Sequence, residues 1–220
     1  MANEAAKAAA AARALELVRP GMLLGIGTGS TSRYFIEGLA GRDVTVVPTS
    51  GVSADLALSL GLTVTYAPPH ELDLAVDGAD EIDAELRLIK GRGGALFREK
   101  LVALAARRFL VIADASKLVP QLGVGVLPVE VLPFLWTQTA QRLEALGASW
   151  EVRGGQESPY ITDNGNWILD LTFPGGIADP EGLASSLHST PGVCEHGLFT
   201  GIAAAAIVAG ESGVEVRGSL

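Results

Sequence analysis

Short apolar runs alternate with helical patterns through the first half of the chain, and this alternation constrains the fold more than any other feature. Candidate strands lie at 22–27, 44–48, 62–66, 72–77, 87–89 and 109–113, with helices expected at 31–39, 53–60 and 95–107. Such an order implies an α/β domain with a mostly parallel sheet and helices on both faces. The first 21 residues are Ala-rich but carry Glu4 and Glu16, which suits an amphipathic helix ended by Pro20 and Gly21. After Gly125 the texture changes. LPVEVLP reads as a strand, 136–146 as a helix and 148–153 as a strand; 160–172 carries DNGN between two apolar runs, a hairpin signal. A helix at 179–189 and a strand at 192–198 complete a β-α-β-β-α-β order, the split βαβ (ferredoxin-like) plan of a small α+β domain. Segments 203–208 and 214–217 are expected to return to the first domain as an edge hairpin. The expected division is therefore a larger domain of 1–125 and 199–220 and a smaller one of 126–198.

Composition narrows the function. A hydrophobic content of 48% over 220 residues supports a full core. No apolar run is long enough to span a bilayer, and the N-terminus lacks the apolar core and cleavage site of a secretory signal. The single cysteine, Cys194, leaves no internal disulfide and fits a reducing cytoplasm, where it is expected as a small buried hydrophobe. A net charge of −9, with no basic cluster larger than Arg107 and Arg108, argues against nucleic acid or an anionic membrane as partner. His70, His188 and His196 are scattered without metal-ligand spacing, so structural or surface roles are expected for them.

Three segments carry chemistry. In LDLAVDGADEID (72–83) an apolar run ends in Asp77, and Asp80, Glu81 and Asp83 follow. A carboxylate closing a buried strand stands at the rim of the sheet, where α/β proteins bind ligands. Gly78 and Ala79 keep the turn small enough for Asp77 and Asp80 to face one cleft. Glu81 and Asp83 read as a solvated acidic turn. A divalent-metal site is the sharper rival, but no further carboxylate-rich segment supplies ligands and Lys90 lies close in sequence. Asp77 and Asp80 are better suited to general acid–base work, and no metal is expected.

GIGTGSTS (25–32) follows a strand and opens a helix, so its backbone N–H groups, hydroxyls and helix N-terminus can hold an anion. A dinucleotide fingerprint fails because Ser30 stands in place of the third glycine and VVPTS closes the next strand without an acid. A cradle for one phosphate fits better; a plain strand–helix turn capped by Ser30 or Thr31 is the bland alternative. The third segment, KGRGGALFREK (90–100), offers Lys90, a second glycine loop and Glu99 in the first turns of a helix. The helix dipole favours ionised Glu99, whereas burial would push towards the pKa of a base useful near neutrality. Lys117, in ADASK, follows another strand and can reach the same rim.

Taken together, GIGTGSTS, VDGADEID, KGRGGALFREK, ADASK, LPVEV and TDNGNWILD resemble the type A ribose-5-phosphate isomerases, in family order and over nearly the whole length. The resemblance implies a Rossmann-like larger domain, a small α+β domain, no metal or cofactor, ribose 5-phosphate and ribulose 5-phosphate as substrates, and a homodimer or homotetramer. By motif position it makes Glu99 the base moving a proton between C1 and C2 through a cis-enediolate. Asp77 would assist ring opening, Asp80 would hold hydroxyls and help proton traffic, and Lys90 would stabilise developing oxyanion charge. Thr28, Gly29, Ser30 and Thr31 would bind chiefly the phosphate, with Lys117 and Lys7 as cations. Gly78, Ala79, Gly91, Arg92 and Gly93 would line the rest of the substrate. Arg92 and Phe97 stand where many relatives have glycine and a smaller or polar residue, which bears on the mobility of the loop. Two other classes compete: a non-catalytic sugar-phosphate sensor, disfavoured by the intact Asp77, Asp80, Lys90 and Glu99 set, and a metal-dependent phosphotransferase using the acid cluster.

Overall fold

The computed structural model describes residues 2–220. The chain begins α1 (Ala2–Leu15), β1 (Leu23–Ile26), α2 (Ser30–Glu37), β2 (Thr45–Pro48), α3 (Gly51–Ser59), β3 (Thr63–Val64) and β4 (Leu74–Asp77). It continues with β5 (Glu81–Ile82), β6 (Leu88–Ile89), α4 (Leu96–Leu104), β7 (Phe109–Asp114), a 3-10 turn (Ala115–Lys117) and β8 (Leu127–Val131). Then follow α5 (Trp136–Glu144), β9 (Ser149–Val152), β10 (Trp167–Thr172), α6 (Pro180–His188), β11 (Val193–His196), β12 (Leu198–Phe199), β13 (Ala203–Gly210) and β14 (Gly213–Gly218). These elements form two compact units. One comprises residues up to Ala79, Arg98–Lys117 and Gly201–Leu220; the other comprises Asp80–Phe97 and Leu118–Thr200.

The first unit is built on a seven-stranded sheet in the order β14-β13-β7-β4-β1-β2-β3. Every pairing is parallel except β13 with β14, the expected edge hairpin. Apolar strand positions such as Leu24, Ile26, Leu74, Val76, Leu110 and Ile112 are buried with Ala10, Ala14 and Phe35 in one core. Strand order reverses between β1 and β4, so the carboxyl ends of these two strands form a topological switch point, where open α/β sheets bind ligands. The helix expected to run to 107 stops at Leu104. Beyond it the backbone turns to the sheet, with the Arg107 N–H donating to the Leu72 carbonyl (2.8 Å) and the Leu72 N–H donating to the Ala105 carbonyl (2.9 Å).

The second unit contains a four-stranded antiparallel sheet, β11-β8-β10-β9, whose order and β8-α5-β9-β10-α6-β11 succession are those of the split βαβ plan. A separate three-stranded sheet, β12-β6-β5, lies in the same unit, and sequence periodicity missed two-residue β5 because it is too short to show a period. Leu127, Val129, Val131, Leu169 and Leu171 are buried with Ala140, Leu143 and Leu187 from the helices. The hairpin expected across DNGN is corrected: residues 160–162 are not a strand, and β10 pairs instead with β9 and β8.

DNGN has a different task. Glu130 on β8 is fully buried, and its Oε1 accepts hydrogen bonds from the Thr162 hydroxyl (3.0 Å) and the side-chain amides of Asn164 (3.0 Å) and Asn166 (2.8 Å). Its other oxygen, Oε2, is buried without a hydrogen-bond partner. The same charge, after desolvation itself, pushes the half-buried Cys194 thiol above its ordinary pKa. A desolvated carboxylate held by neutral donors ties the 162–166 turn to the sheet, and removing it strands those donors. Glu130→Ala is expected to lower unfolding free energy by roughly 2–4 kcal/mol, and Glu130→Gln, which keeps an acceptor, by about half as much. Urea unfolding checks this; a loss below about 0.5 kcal/mol for the alanine variant would refute the anchoring role.

Candidate active site

In the first unit the glycine loop after β1 and the carboxylate closing β4 meet at the switch point. Asp77 is 3% exposed, and its Oδ1 accepts hydrogen bonds from the N–H groups of Thr28 (3.1 Å) and Gly78 (2.7 Å) and from the Ser32 hydroxyl (2.9 Å). Gly27 makes this approach possible: a Cβ there would fall 1.7 Å from Asp77 Oδ1. The loop therefore seats a protein carboxylate, a role that reading it as a phosphate cradle alone had missed. Ser32 is the further residue of that seat, and nothing in its sequence position distinguished it from the other hydroxyls of the motif.

Helix α2 starts at the same loop. Its N-cap is Gly29, with no side-chain cap, so the alternative of a turn capped by Ser30 or Thr31 is not met. Ser30 is exposed and Thr31 is buried. The Thr28 hydroxyl is shared with Thr49 (2.8 Å) and Ser50 (2.7 Å). A cavity of about 340 Å³ is lined by Gly27, Thr28, Gly29 and Ser30 together with Arg33, Val52 and Leu56. Lys7 on α1 pairs with Glu4 (2.7 Å), which also accepts from the Tyr34 hydroxyl (2.8 Å). These two hydrogen bonds hold the Glu4 carboxyl below the usual carboxylate range. Lys117 closes the 3-10 turn after β7 and is half-buried. Glu99, 5% exposed, lies in the first turn of α4; the same helix sets Val102 against β1, where a Cβ at Gly25 would fall 2.4 Å from Val102 Cγ1.

The second unit carries Asp80 and the other glycine loop. Asp80 is half-buried; its N–H donates to the Ile89 carbonyl (2.8 Å) and its Oδ2 accepts from the Arg92 N–H (2.9 Å). Lys90 is 2% exposed and sets its ammonium 5.5 Å from the centre of the Phe199 ring, within range of a cation–π attraction. Its N–H donates to the Gly197 carbonyl (2.9 Å). Gly91 has φ 105°, in the left-handed region, and a Cβ there would meet Leu96 at 2.6 Å, so this position accepts only glycine. Gly93 is exposed, the Arg92 side chain is 35% exposed, and Gly78 and Ala79 are half-buried.

The expected solvated acidic turn is overturned for Glu81 and Asp83, which are 2% and 1% exposed. Glu81 accepts from the N–H groups of Gly123 (2.7 Å), Val124 (3.2 Å) and Gly125 (2.6 Å) and from Arg92 Nη2 (2.7 Å). Asp83 accepts from the N–H groups of Glu85 (3.0 Å) and Arg87 (2.9 Å) and from Arg87 Nε (2.6 Å), and this pairing raises the Arg87 pKa. Both acids are structural anchors, and their donors come from residues 2 to 44 positions away, which local acidity could not reveal. No group of three or more His, Cys, Asp or Glu side chains able to hold a metal ion occurs among the described residues.

Known proteins share this arrangement of elements. The family model for ribose 5-phosphate isomerase A (phosphoriboisomerase A) matches residues 45–213. The ribose-5-phosphate isomerase A of Parvibaculum lavamentivorans is 50% identical, covering 96% of each chain, and that of Methanothermobacter thermautotrophicus is 45% identical with the same coverage. Among solved structures, a D-ribose-5-phosphate isomerase in complex with phospho-erythronic acid superimposes with a TM-score of 0.94 at 39% identity, covering 100% of both chains. The ribose 5-phosphate isomerase A of Methanocaldococcus jannaschii gives 0.92 at 35% identity, covering 98% of this chain and 99% of its own.

The four donors on Glu81 make a direct test of its anchoring. Glu81→Ala leaves Arg92 and three amides without their acceptor and is expected to cost roughly 3 kcal/mol of stability. Thermal unfolding reads this out; a melting temperature within about 2 °C of the parent would show the clamp to be dispensable.

Proposed function

The chain belongs to the ribose 5-phosphate isomerase A family, and we propose that it interconverts D-ribose 5-phosphate and D-ribulose 5-phosphate by proton transfer through a cis-enediolate, in the non-oxidative branch of the pentose phosphate pathway. The observation that carries this reading furthest is the seating of Asp77 by the glycine loop at the carboxyl ends of β1 and β4. It joins an acid–base group to the loop proposed to bind phosphate, which the conversion of a phosphorylated sugar needs.

In the proposed reaction Asp77 assists opening of the furanose ring. Glu99 takes the C2 proton of the open aldose, leaving a cis-enediolate, and returns the proton at C1; meanwhile the O2 hydroxyl proton passes to O1 with the help of Asp80. Negative charge growing on the carbonyl oxygen is met by the Lys90 ammonium and by N–H groups of the 91–93 loop. Burial of Lys90 and Glu99 supports these roles, because a charge in a water-poor setting acts more strongly on charge that develops nearby. Thr28, Gly29, Ser30 and Thr31 bind the phosphate end, the uncapped start of α2 adding N–H donors. Lys117 and Lys7 supply positive charge, phosphate competing with Glu4 for Lys7. Gly78, Ala79, Gly91, Arg92 and Gly93 line the sugar, although the Arg92 guanidinium is engaged by Glu81 and leaves the backbone as its contribution. Phospho-erythronic acid, bound by a relative, is a phosphorylated sugar acid whose carboxylate carries charge much as an enediolate does.

We further propose a cytoplasmic homodimer or homotetramer. Among the described residues no helix is long and apolar enough to cross a membrane.

Two measurements test the reading. Glu99→Gln keeps the size of the side chain but cannot accept the carbon-bound proton; turnover of ribose 5-phosphate is expected to fall by about a hundredfold or more, with substrate affinity changed much less. Near-parental turnover would move the base to another residue. Activity is also expected to persist in excess EDTA, because the Lys90 cation provides the electrophilic charge; loss in chelator with restoration by Mg²⁺ would instead favour metal-assisted chemistry on the acid cluster.

A further inference from the structure

The second glycine loop is chemically necessary to the proposed reaction but intrinsically loose, since three of its first five residues are glycine. What holds it is a side chain from the small sheet. Arg153 follows β9 directly, with its own N–H donating to the Ile168 carbonyl (2.9 Å). Its Nε donates to Asp170 Oδ2 (2.9 Å) and its Nη2 to Asp170 Oδ1, a two-pronged pairing with a carboxylate of β10. The guanidinium is thereby fixed in plane, and the side chains of both residues are more than four-fifths buried. The remaining nitrogen, Nη1, donates to two successive carbonyls of the loop, Gly91 (2.9 Å) and Arg92 (3.1 Å). Gly91 O also accepts the Gly94 N–H (3.0 Å), so one oxygen closes the turn and receives the clamp.

The consequence follows from peptide geometry. In a trans peptide the carbonyl and the following N–H point in opposite directions. Holding the Gly91 carbonyl on Arg153 therefore aims the Arg92 N–H away from it, and that N–H donates to Asp80 Oδ2 at 2.9 Å. A continuous chain results: Asp170, Arg153, the Gly91–Arg92 peptide, Asp80. Each hydrogen bond polarises the next. Holding the Arg92 carbonyl in the same way turns the Gly93 N–H away from the clamp, at an exposed position three residues after Lys90. We infer that Arg153 is a positioning residue for the isomerase reaction: it presets the 91–93 peptides so that one N–H orients Asp80 and the next is presented as a donor to the substrate oxygen. This rests on the assignment of Asp80 and the glycine loop to that reaction. Arg153 itself touches no reacting atom. Lysine can replace it only in part, because an ammonium has no planar fork to pair with Asp170 while reaching both carbonyls.

The full-length protein is assayed for conversion of ribose 5-phosphate as the parent, Arg153→Ala, Arg153→Lys and Asp170→Asn. Arg153→Ala is expected to lower kcat about tenfold or more with little change in KM, since displaced catalytic groups cost rate more than binding. Millimolar guanidinium should restore part of that loss and leave the parent unaffected, which a merely structural arginine would not produce. Arg153→Lys and Asp170→Asn should fall between parent and alanine variant, and they carry the test if the alanine variant does not fold. In parallel, hydrogen exchange at the Arg92 amide should accelerate in every variant. Parental kcat in folded variants, or a loss that follows unfolded fraction and ignores guanidinium, would overturn the inference. An inactive parent would instead count against the isomerase reading, while unaltered exchange at Arg92 would by itself refute the clamp.

Discussion

Everything about the first unit's site depends on where a carboxylate at the end of a buried strand finds its hydrogen bonds. Asp77 closes β4, which is buried throughout, and an unsatisfied charge there would be destabilising by several kcal/mol. The sheet order puts the β1 loop and the start of α2 beside it, and these supply donors from Thr28 and Ser32, while the Gly78 N–H of its own turn supplies the third. That solution requires the backbone to come within a side chain's width of the carboxylate, and hence requires glycine at 27. Packing here is thus set by one contact: the parallel sheet brings two strand ends together, and the loop that meets the acid also begins α2, which has no side-chain cap.

The second unit repeats the principle with different donors. Glu81, Asp83 and Glu130 are all buried, and each gathers N–H, amide or hydroxyl groups from a segment that would otherwise have no defined path. Glu81 ties residues 123–125 and Arg92 together, so a long charged side chain is accommodated in the glycine loop by a partner rather than by solvent. Arg153 adds hydrogen bonds to two carbonyls of that loop, so the protein itself supplies partners for its backbone. The positioning inferred for this loop would suit the proposed reaction, whose transition state differs from its substrate by the position of a proton and a little charge.

Much of this was legible in the chain itself. Alternating apolar and helical segments dictated a mostly parallel sheet, because buried parallel strands need apolar side chains on both faces and crossovers long enough for a helix. The β-α-β-β-α-β succession dictated the small antiparallel domain, and the motifs pointed to Asp77, Asp80, Lys90 and Glu99 as the candidates for the proposed chemistry. Tertiary structure alone showed that Glu81 and Asp83 are buried anchors. Glu81 and Asp83 look like surface residues in sequence, yet their donors lie up to 44 positions along the chain. It also decided that DNGN folds over Glu130 rather than turning a hairpin, and that Arg153 belongs with a loop 61 and 62 residues before it. The division has a physical cause. Periodicity and turn chemistry act between neighbours in the chain and so appear in any window of sequence, whereas the burial of a charge is settled by whichever distant donors the completed fold delivers to it.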